Sequence, residues 1–314
     1  MRRGGRLARL SESSNVEGVP RSGVLLVNAK SRNGLEWFPQ VRNRLIAGGI
    51  DLQDARRFRG AKELVKAVHD YISQGSPLVI VGGGDGTFGA VAHMFARRQT
   101  VLGVLPLGTG NAFARDLHIT DTLDASCEAI LNGKIASVDM GLIGDRVFVN
   151  LATVGLSTKI AMGLNDRAKR KLGKSVYMAS VCKALATVEP FHVKLELPGQ
   201  TEEFESLQVV IGNGRFHAGP FQISPDASLT AGWLSIYALA SPHKTAFFKL
   251  ALHMVMGGKL DLEQVKVFRA QSGTLTTIGP KWVTVDGEIA MTTPVQFGMV
   301  PAALRVAVPT SFEG

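Results

Sequence analysis

Two glycine-rich loops, each between an apolar run and a helix-like segment, constrain the fold of this 314-residue chain most strongly. The first, Gly82–Thr87, follows the apolar run Leu78–Val81 and precedes a helical pattern over Thr87–Arg98. The second, Pro106–Asn111, follows the run Val101–Leu105. Strands that alternate with helices form parallel sheets, which bind ligands beyond the carboxyl ends of their strands. The sequence therefore predicts both loops at one edge of a parallel sheet.

The residues of the first loop favour phosphate binding. Glycine permits positive φ and lets backbone N–H groups approach a phosphate, and a following helix adds free N–H donors. We expect Thr87 to act as the helix N-cap or to donate its hydroxyl to a phosphate oxygen. A plain βα turn in which Asp85 binds local amides is the alternative, but three consecutive glycines exceed what a turn requires.

Two other nucleotide-binding motifs fit less well. The spacing Gly84-x-Gly86-x-x-Gly89 formally matches the dinucleotide fingerprint, but no acidic residue follows at the distance that a ribose-binding site requires. Neither loop is followed by Gly-Lys-Ser or Gly-Lys-Thr, which excludes a Walker A site. Two glycine loops on one sheet edge instead predict a two-sided cradle for a triphosphate.

The chain changes character near residue 140. Strand-like and helix-like segments alternate before this point, and short β-rich runs typical of antiparallel sheet dominate after it. Two long helical patterns interrupt these runs, one over about Asn165–Thr187 and one after Ser241-Pro242. We predict a disordered basic tail at residues 1–22, an α/β nucleotide-binding domain at 23–140 and a β-rich domain from 141.

Composition and charge narrow the class of protein. The chain is 45% hydrophobic and 19% charged, which excludes a disordered chain. A net charge of +9 favours phosphate-bearing or anionic-surface partners. The two cysteines, Cys127 and Cys182, have no metal-ligand or disulfide-framework spacing, so we expect a reducing compartment. The sequence contains neither a secretory signal nor an apolar run of membrane-spanning length, and a cytoplasmic location is predicted.

Asp286 and Glu288 form a candidate catalytic pair directly after the apolar run Trp282–Val285. If the strand continues through them, their side chains share one face with Cα atoms about 7 Å apart. Phosphoryl transfer to a hydroxyl requires a nearby carboxylate and Mg²⁺ at the phosphates. A solvated type I′ hairpin turn at Asp286-Gly287 is the alternative, and the spacing alone leaves the two interpretations open.

Taken together, the motifs resemble the catalytic domain of the diacylglycerol kinase family, which includes soluble bacterial lipid kinases and sphingosine kinases. The resemblance begins with GGGDGT at Gly82–Thr87 and LPLGTGNAFARDL at Leu105–Leu117. It continues in VDMG at Val138–Gly141, NLATVG at Asn150–Gly155, IGNGR at Ile211–Arg215, VDGE at Val285–Glu288 and VPAALR at Val300–Arg305. NAD kinases and phosphofructokinases share the glycine hexapeptide, but the combination with LGTGN and a late DGE is specific.

The resemblance implies an ATP- and Mg²⁺-dependent lipid kinase that phosphorylates a hydroxyl of diacylglycerol or a related lipid. It implies a phosphofructokinase-like and NAD kinase-like parallel sheet, a C-terminal antiparallel β sandwich and an active site in the cleft between them. Residues 141–298 would form the β-rich lipid and catalytic domain, and 299–314 would return to the first domain. Glu288 would accept the proton with Asp286 as its partner, and Asp85 would help to hold Mg²⁺ with the nucleotide.

The glycine argument and the resemblance together place ATP on two loops and on the segment after the first strand. The expected nucleotide-binding residues are Asn28, Lys30, Gly82, Gly83, Gly84, Asp85, Gly86, Thr87, Gly108, Thr109, Gly110 and Asn111.

One departure from the family concerns a structural Mg²⁺ that relatives hold in the second domain. The aspartate of that site aligns with Ala231, so Ser228 and Trp233 would offer only backbone carbonyls. We predict that this metal is absent, the alternative being that Asp226 replaces the missing ligand.

The remaining expectations concern partners and competing functions. We expect a lipid substrate at a membrane surface and no nucleic acid, and the sequence leaves homodimerisation open. The basic run Arg167–Lys174 is either an anionic-lipid contact or a solvated helix face, and His93 is expected to pack or to lie on the surface. A catalytically silent nucleotide- or lipid-binding regulator and an NAD kinase-like enzyme are the alternatives to a lipid kinase.

Overall fold

A computed structural model describes residues 17–158, 187–218, 221–222, 226–239 and 265–314 of the chain. The predicted helix after Ser241 and the basic run at 167–174 lie outside the described residues. Of the predicted helix Asn165–Thr187, only Thr187 is described.

The N-terminal part is an α/β domain built on a mostly parallel sheet. Its strands are β1 (Ser22–Asn28), β2 (Asp51–Phe58), β3 (Leu78–Gly83), β4 (Val101–Pro106), β5 (Lys134–Ile143) and β6 (Arg146–Phe148). Its helices are α1 (Gly34–Ala47), α2 (Ala61–Ser73), α3 (Asp85–Phe95), α4 (Ala112–Asp116) and α5 (Leu123–Leu131). The order β2-β1-β3-β4 is parallel throughout, so the carboxyl ends of these strands meet at one edge. The predicted α/β class is confirmed.

Two apolar cores cover the faces of this sheet. Helix α2 buries Leu64 and Val68, spaced one turn apart, and α3 buries Phe88 and Phe95 against the same face. Strands β3 and β4 are buried along their whole length, as expected for strands covered on both sides.

The C-terminal part is an antiparallel β sandwich, as predicted. Its strands are β7 (Leu151–Gly155), β8 (Phe191–Leu197), β9 (Gln200–Ser206), β10 (Gln208–Gly212), β11 (Phe216–Ala218), β12 (Phe221–Gln222), β13 (Leu234–Leu239), β14 (Val265–Ala270), β15 (Ser272–Thr277), β16 (Trp282–Val285), β17 (Glu288–Thr292) and β18 (Val295–Val308). One sheet has the order β14-β13-β10-β7-β16-β17. Alternate residues of β8 are buried, which is the pattern of a strand with one face on a core.

The long strand β18 joins the two parts of the molecule. Its first half pairs with β15 of the sandwich, and its second half pairs with β4 of the parallel sheet, while β5 runs antiparallel beside it. A bulge between Val300 and Leu304 bends the strand where it passes from one part to the other. One sheet therefore extends through both domains, and β5 crosses the expected boundary at residue 140.

Residues 17–22 do not have the disorder expected for the tail. The N–H of Ile135 donates to the Glu17 carbonyl at 3.0 Å, and Gly18 forms a bridge with Lys134. Val19 is buried in the core between the sheet and α1. Backbone pairing, the buried Val19 side chain and an ion pair between Glu17 and Arg305 hold this segment against the first domain.

Candidate active site

The two glycine loops touch at the carboxyl edge of the parallel sheet. Gly84 follows β3, and a Cβ placed on it would lie 3.1 Å from the Cα of Gly108 in the second loop. Gly83 is more crowded still, since a Cβ there would lie 2.3 Å from the Cβ of Thr87. Only glycine permits this approach of backbone to backbone. The structure thus brings the two predicted halves of the cradle together.

Thr87 is not the N-cap of α3, so that part of the expectation is wrong. The N-cap of α3 is Gly84, in an extended conformation, and Thr87 lies in the first turn. The Thr87 hydroxyl oxygen accepts a hydrogen bond from the Asn28 Nδ2 group at 3.1 Å. Asn28 ends β1, and its Oδ1 accepts from the backbone N–H of Lys30 at 3.0 Å. The Lys30 residue is exposed.

Asp85 connects the first loop to the second. It is the first residue of α3, and its Oδ1 accepts from the backbone N–H of Phe113 in α4 at 3.2 Å. Burial raises the pKa of Asp85, whereas the N–H groups at the start of α4 lower it. This carboxylate lies beside the phosphate cradle, where a nucleotide-bound cation would need a charged oxygen ligand.

Asn111 stabilises the second loop instead of facing open space. It is buried, with φ at +51°, and its side chain both accepts from the Gly108 N–H and donates to the Gly108 carbonyl. It also donates to Asp121 at 3.1 Å. Thr109 is exposed and Gly108 and Gly110 are partly exposed, so this part of the loop remains accessible to a ligand.

Asp286 and Gly287 form a hairpin turn, so the expectation that Asp286 and Glu288 share a strand face is wrong. β16 ends at Val285, and both turn residues have positive φ, +47° and +89°. This matches a type I′ turn, whose twist fits a two-residue hairpin. The turn is not simply solvated, however, because the Asp286 carboxylate is directed into the protein.

Three consecutive backbone N–H groups bind the Asp286 carboxylate. Val149 donates to Oδ2 at 3.0 Å, and Asn150 and Leu151 donate to Oδ1 at 3.0 and 3.1 Å. Burial, with a smaller contribution from the charge of Asp85, raises the pKa of Asp286 to about 6, although these N–H groups lower it. Both carboxylate oxygens have donors, so the role that this geometry gives Asp286 is to fix the turn.

The same turn packs on the helix that begins at the phosphate cradle. A Cβ placed on Gly89 of α3 would lie 2.6 Å from the Cβ of Asp286. Gly89 lies one helical turn, about 6 Å, beyond Asp85. The absence of a side chain at Gly89 thus places the DGE segment next to the two glycine loops.

Glu288 is exposed, and the described part of the chain offers its carboxylate no hydrogen bond. His93 lies one turn beyond Gly89 on α3. Burial and the charge of Arg146 lower the pKa of His93, and the charge of Glu288 opposes this shift. The sequence identified His93 only as a packing or surface residue, since nothing local places it beside Glu288.

Asp116 is a functional candidate that the sequence reasoning missed. It ends α4 in the first domain, is 4% exposed, and accepts from the backbone N–H of Arg215 at 2.8 Å and of Phe216 at 3.4 Å. Burial raises its pKa to about 7, although these donors lower it. Asp116 therefore joins the second glycine loop to the sandwich. The only available signal was its place inside the motif LPLGTGNAFARDL.

The loop that would hold the second-domain metal does not fit a divalent cation. The Ser228 carbonyl accepts from the Ala231 N–H at 3.1 Å, and the Asp226 carboxylate pairs with Arg269 at 2.6 Å. The Arg269 guanidinium also lies 4.6 Å from the centre of the Trp233 ring. Among the described residues, no group of three or more His, Cys, Asp or Glu side chains is arranged for a metal.

Comparisons with known proteins show the family of this chain. A family model described as "diacylglycerol kinase catalytic domain" matches residues 22–143, and one described as "YegS C-terminal NAD kinase beta sandwich-like domain" matches residues 151–308. A Pseudomonas aeruginosa protein named "probable lipid kinase YegS-like" is 30% identical over 248 residues, which is 78% of this chain and 80% of that protein. The chain belongs to the diacylglycerol kinase family. The predicted enzyme class, a lipid kinase, is confirmed at this level.

A further relative and two solved structures are also similar to this chain. A Mycobacterium tuberculosis protein named "diacylglycerol kinase" is 29% identical over 274 residues, 84% of each chain. Two crystal structures of Bacillus anthracis proteins described as diacylglycerol kinases align with TM-scores of 0.79 and 0.74 at 24% and 22% identity. They cover 95% and 93% of this kinase and 99% and 98% of the aligned chains, and they show the same fold.

Within the part of the kinase that the structure describes, no helix has the length and apolar character needed to cross a bilayer.

Proposed function

We propose that this kinase transfers the γ-phosphoryl group of ATP to a hydroxyl of a lipid, with Glu288 as the proton acceptor. The observation that carries the proposal is the contact between Gly89 and Asp286. One helix, α3, begins at the phosphate cradle and carries the DGE turn about one helical turn away. Phosphate groups and an acceptor hydroxyl bound at these two places would be neighbours.

The two carboxylates of the DGE segment would have different roles in the reaction. Asp286 accepts three backbone hydrogen bonds and fixes the turn, and Glu288 extends from it with an exposed carboxylate. In the reaction, the lipid oxygen bonds to the γ-phosphorus, the bond from that phosphorus to the bridging oxygen breaks, and ADP leaves. The hydroxyl proton passes to Glu288.

The glycine loops and α3 would hold the phosphates. Backbone N–H groups at Gly84–Gly86 lie at the positive end of the α3 dipole, which stabilises negative charge. Asp85 is the residue that would contribute a carboxylate to a nucleotide-bound Mg²⁺. When bound, this ion neutralises charge on the β- and γ-phosphates.

The experiment is transfer of radiolabel from γ-labelled ATP to a panel of diacylglycerol, phosphatidylglycerol, ceramide and a sphingoid base, with NAD as a further acceptor. Label in a lipid that depends on Glu288 supports the proposal. Label in NAD alone would establish the NAD kinase-like alternative. ATP binding without transfer to any acceptor would favour a silent regulator.

A further inference from the structure

The carboxylate of Asp116 lies at the contact between the two domains and binds backbone of the sandwich. Asp116 ends α4, the short helix that follows the second glycine loop. Its Oδ1 accepts from the Arg215 N–H at 2.8 Å and its Oδ2 from the Phe216 N–H at 3.4 Å. A Cβ placed on Gly214 would lie 2.1 Å from the same Oδ2, so this backbone lies directly against the carboxylate. We name residues 213–216, which follow β10, the strap.

Two side chains of the strap fix it to the second half of the molecule. Asn213 is 1% exposed, and its Nδ2 group donates to the carbonyls of Asp139 at 2.9 Å and Val149 at 3.2 Å. The Arg215 guanidinium donates through Nε to the Ala227 carbonyl at 2.7 Å. Because these bonds hold the strap, its position relative to α4 depends on the contact with the carboxylate at the end of that helix.

Further hydrogen bonds continue from the strap to the DGE turn. The N–H of Asn213 donates to the Asn150 carbonyl at 2.9 Å. The N–H groups of Val149 and Asn150 donate to the Asp286 carboxylate, each at 3.0 Å. Residues 149 and 150 thus bind the strap through their carbonyls and the DGE turn through their N–H groups. Such a contiguous network of buried hydrogen bonds can carry a displacement from one site to another.

The other end of this path is the phosphate cradle. Asn111 fixes the second glycine loop through two hydrogen bonds to Gly108, directly before α4 begins. The Phe113 N–H in the first turn of α4 donates to Asp85 of the first loop. Asp116 lies only about 7 Å along the helix axis from Asn111. Since the loops have bonds of their own, loss of the Asp116 carboxylate should leave the ATP site intact and change its separation from the DGE turn.

We propose that Asp116 is a positioning residue for phosphoryl transfer. Through the strap, it sets the separation between the phosphates on the two glycine loops and the acceptor hydroxyl at Glu288. A misplacement of about 1 Å can cost about 100-fold in rate, whereas the binding of ATP alone does not depend on this separation. The proposal rests on the proposed lipid kinase function for its chemistry, but the path of contacts can be tested without catalysis.

Two substitutions change the contact from opposite sides. Asp116→Ala removes both acceptor oxygens, and Gly214→Ala places a methyl group against the carboxylate. Gly214→Ala retains every hydrogen-bonding group, so it tests the contact even if Asp116→Ala does not fold. Removal of the carboxylate makes room for the methyl group, so the double variant should be less impaired than the sum of the two single effects.

Two further variants serve as comparisons. Asp116→Asn keeps Oδ1 as the acceptor for the Arg215 N–H and is the conservative variant. Ser206→Ala is the matched control, because the Ser206 hydroxyl is fully buried and donates to the Leu239 carbonyl at 3.0 Å inside the sandwich. Its loss weakens the sandwich without touching the contact between the domains.

Steady-state kinetics with ATP and a water-soluble short-chain diacylglycerol measure the effect on transfer. We expect kcat to fall at least about tenfold in Asp116→Ala and in Gly214→Ala, with the KM for ATP within about threefold of the wild type. Asp116→Asn and Ser206→Ala should keep kcat within about threefold of the wild type.

Four kinetic outcomes would overturn the proposal. A rise in the KM for ATP that accounts for the loss would assign Asp116 to the nucleotide site. An equal loss of kcat in Ser206→Ala would reduce Asp116 to a structural role, and an equal loss in Asp116→Asn would make its charge decisive instead of its hydrogen bonds. Strictly additive effects in the double variant would show that Asp116 and Gly214 do not act through one contact.

Hydrogen exchange followed by mass spectrometry, without nucleotide or lipid, tests the path itself. In Asp116→Ala, the peptide that contains Val149, Asn150 and Leu151 should exchange at least about tenfold faster than in the wild type, and Ser206→Ala should leave it unchanged. Faster exchange confined to the strap would show that the path ends there and would overturn the proposal. If the wild type transfers phosphate to no lipid but exchange at residues 149–151 responds to Asp116, the proposed function fails and the coupling of the two domains through Asp116 stands.

Discussion

Two residues of the DGE segment, although close in sequence, have different environments and so different expected roles. The Asp286 carboxylate is enclosed by three N–H donors, and that of Glu288 is exposed. A neutral amide at position 286 would place an NH₂ group against a backbone N–H, so Asp286→Asn should reduce stability as well as turnover. The effect of Glu288 should be confined to the chemical step.

We predict that Glu288→Gln lowers kcat at least about 100-fold, since glutamine cannot accept the hydroxyl proton. The KM for ATP and the melting temperature should remain those of the wild type, because the exposed carboxylate contributes little to folding. Steady-state kinetics with ATP and the best lipid acceptor measure this. Glu205→Gln, an exposed glutamate on β9, is the matched control, and near-normal turnover of Glu288→Gln would remove Glu288 from the chemistry.

At the scale of elements, helix α3 connects the two glycine loops to the DGE turn, where the acceptor hydroxyl is proposed to bind. Its first residue, Asp85, binds the start of α4, and Gly89 receives the DGE turn. A Gly→Ala change inside a helix normally adds up to about 1 kcal/mol of stability through helix propensity. Here the added methyl group would meet Asp286, and either the helix or the turn must move.

The prediction is that Gly89→Ala lowers kcat about tenfold or more while ATP affinity stays within about twofold of the wild type. The added methyl group would displace the DGE turn, whereas the two glycine loops would keep their structure. Steady-state kinetics and nucleotide titration measure the two effects, and Ala90→Ser on the same helix is the control. A fully active, more stable Gly89→Ala protein would show that the turn is not held by this contact.

A second element contact, between α4 and the sandwich, predicts a pH effect. Burial raises the pKa of Asp116 to about 7 in the folded protein, well above the ordinary value for an aspartate. The folded state therefore binds a proton that the unfolded state has released, and the stability contributed by protonated Asp116 is lost as pH rises toward 7.

Asp116→Asn removes this titration. We expect the stability of the wild type to fall relative to the variant between pH 5 and pH 7.5, by on the order of 2 kcal/mol. Urea denaturation of both proteins at the two pH values measures the difference. A difference that stays constant across this range, or that grows in favour of the wild type, would place the pKa of Asp116 near its unfolded value.

At the scale of the whole molecule, an ion pair, a cation–π contact and backbone hydrogen bonds surround the loop near Ala231. Arg269 pairs with Asp226 and lies over Trp233, and the Asp139 carboxylate binds the N–H groups of Gly232 and Ala302. Protein groups therefore supply the contacts that hold this loop between the two domains.

We expect the melting temperature of the wild type to be independent of Mg²⁺ in the absence of nucleotide, since a ligand that does not bind the folded state does not stabilise it. Arg269→Ala should cost about 1 kcal/mol at any Mg²⁺ concentration. Ala231→Asp tests the site in the other direction and should gain stability only with Mg²⁺. A wild-type melt that rises with Mg²⁺ and falls back in Asp226→Ala would show that Asp226 is a substitute ligand.

The sequence by itself determined the fold class and located the two glycine loops, whereas the DGE segment received its predicted role only through the family resemblance. The fold class and the loops follow from local rules: apolar runs of strand length alternate with helical spacing, and glycine is needed where backbones approach closely. Motif spacing also led to the family, because several short motifs had to occur in one order. What local rules missed were elements with weak patterns, such as α5 and β9, whose positions depend on neighbours.

Only the tertiary structure decided how these parts act on one another. Asp116 and Arg215 are 99 positions apart, and Asp286 binds backbone groups 135 to 137 positions away. No spacing rule links such residues, because their contact is produced by the packing of two domains around β18. Burial raises the pKa of both Asp116 and Asp286, and it arises only from that packing. The close contact between Gly89 and the DGE turn has the same origin.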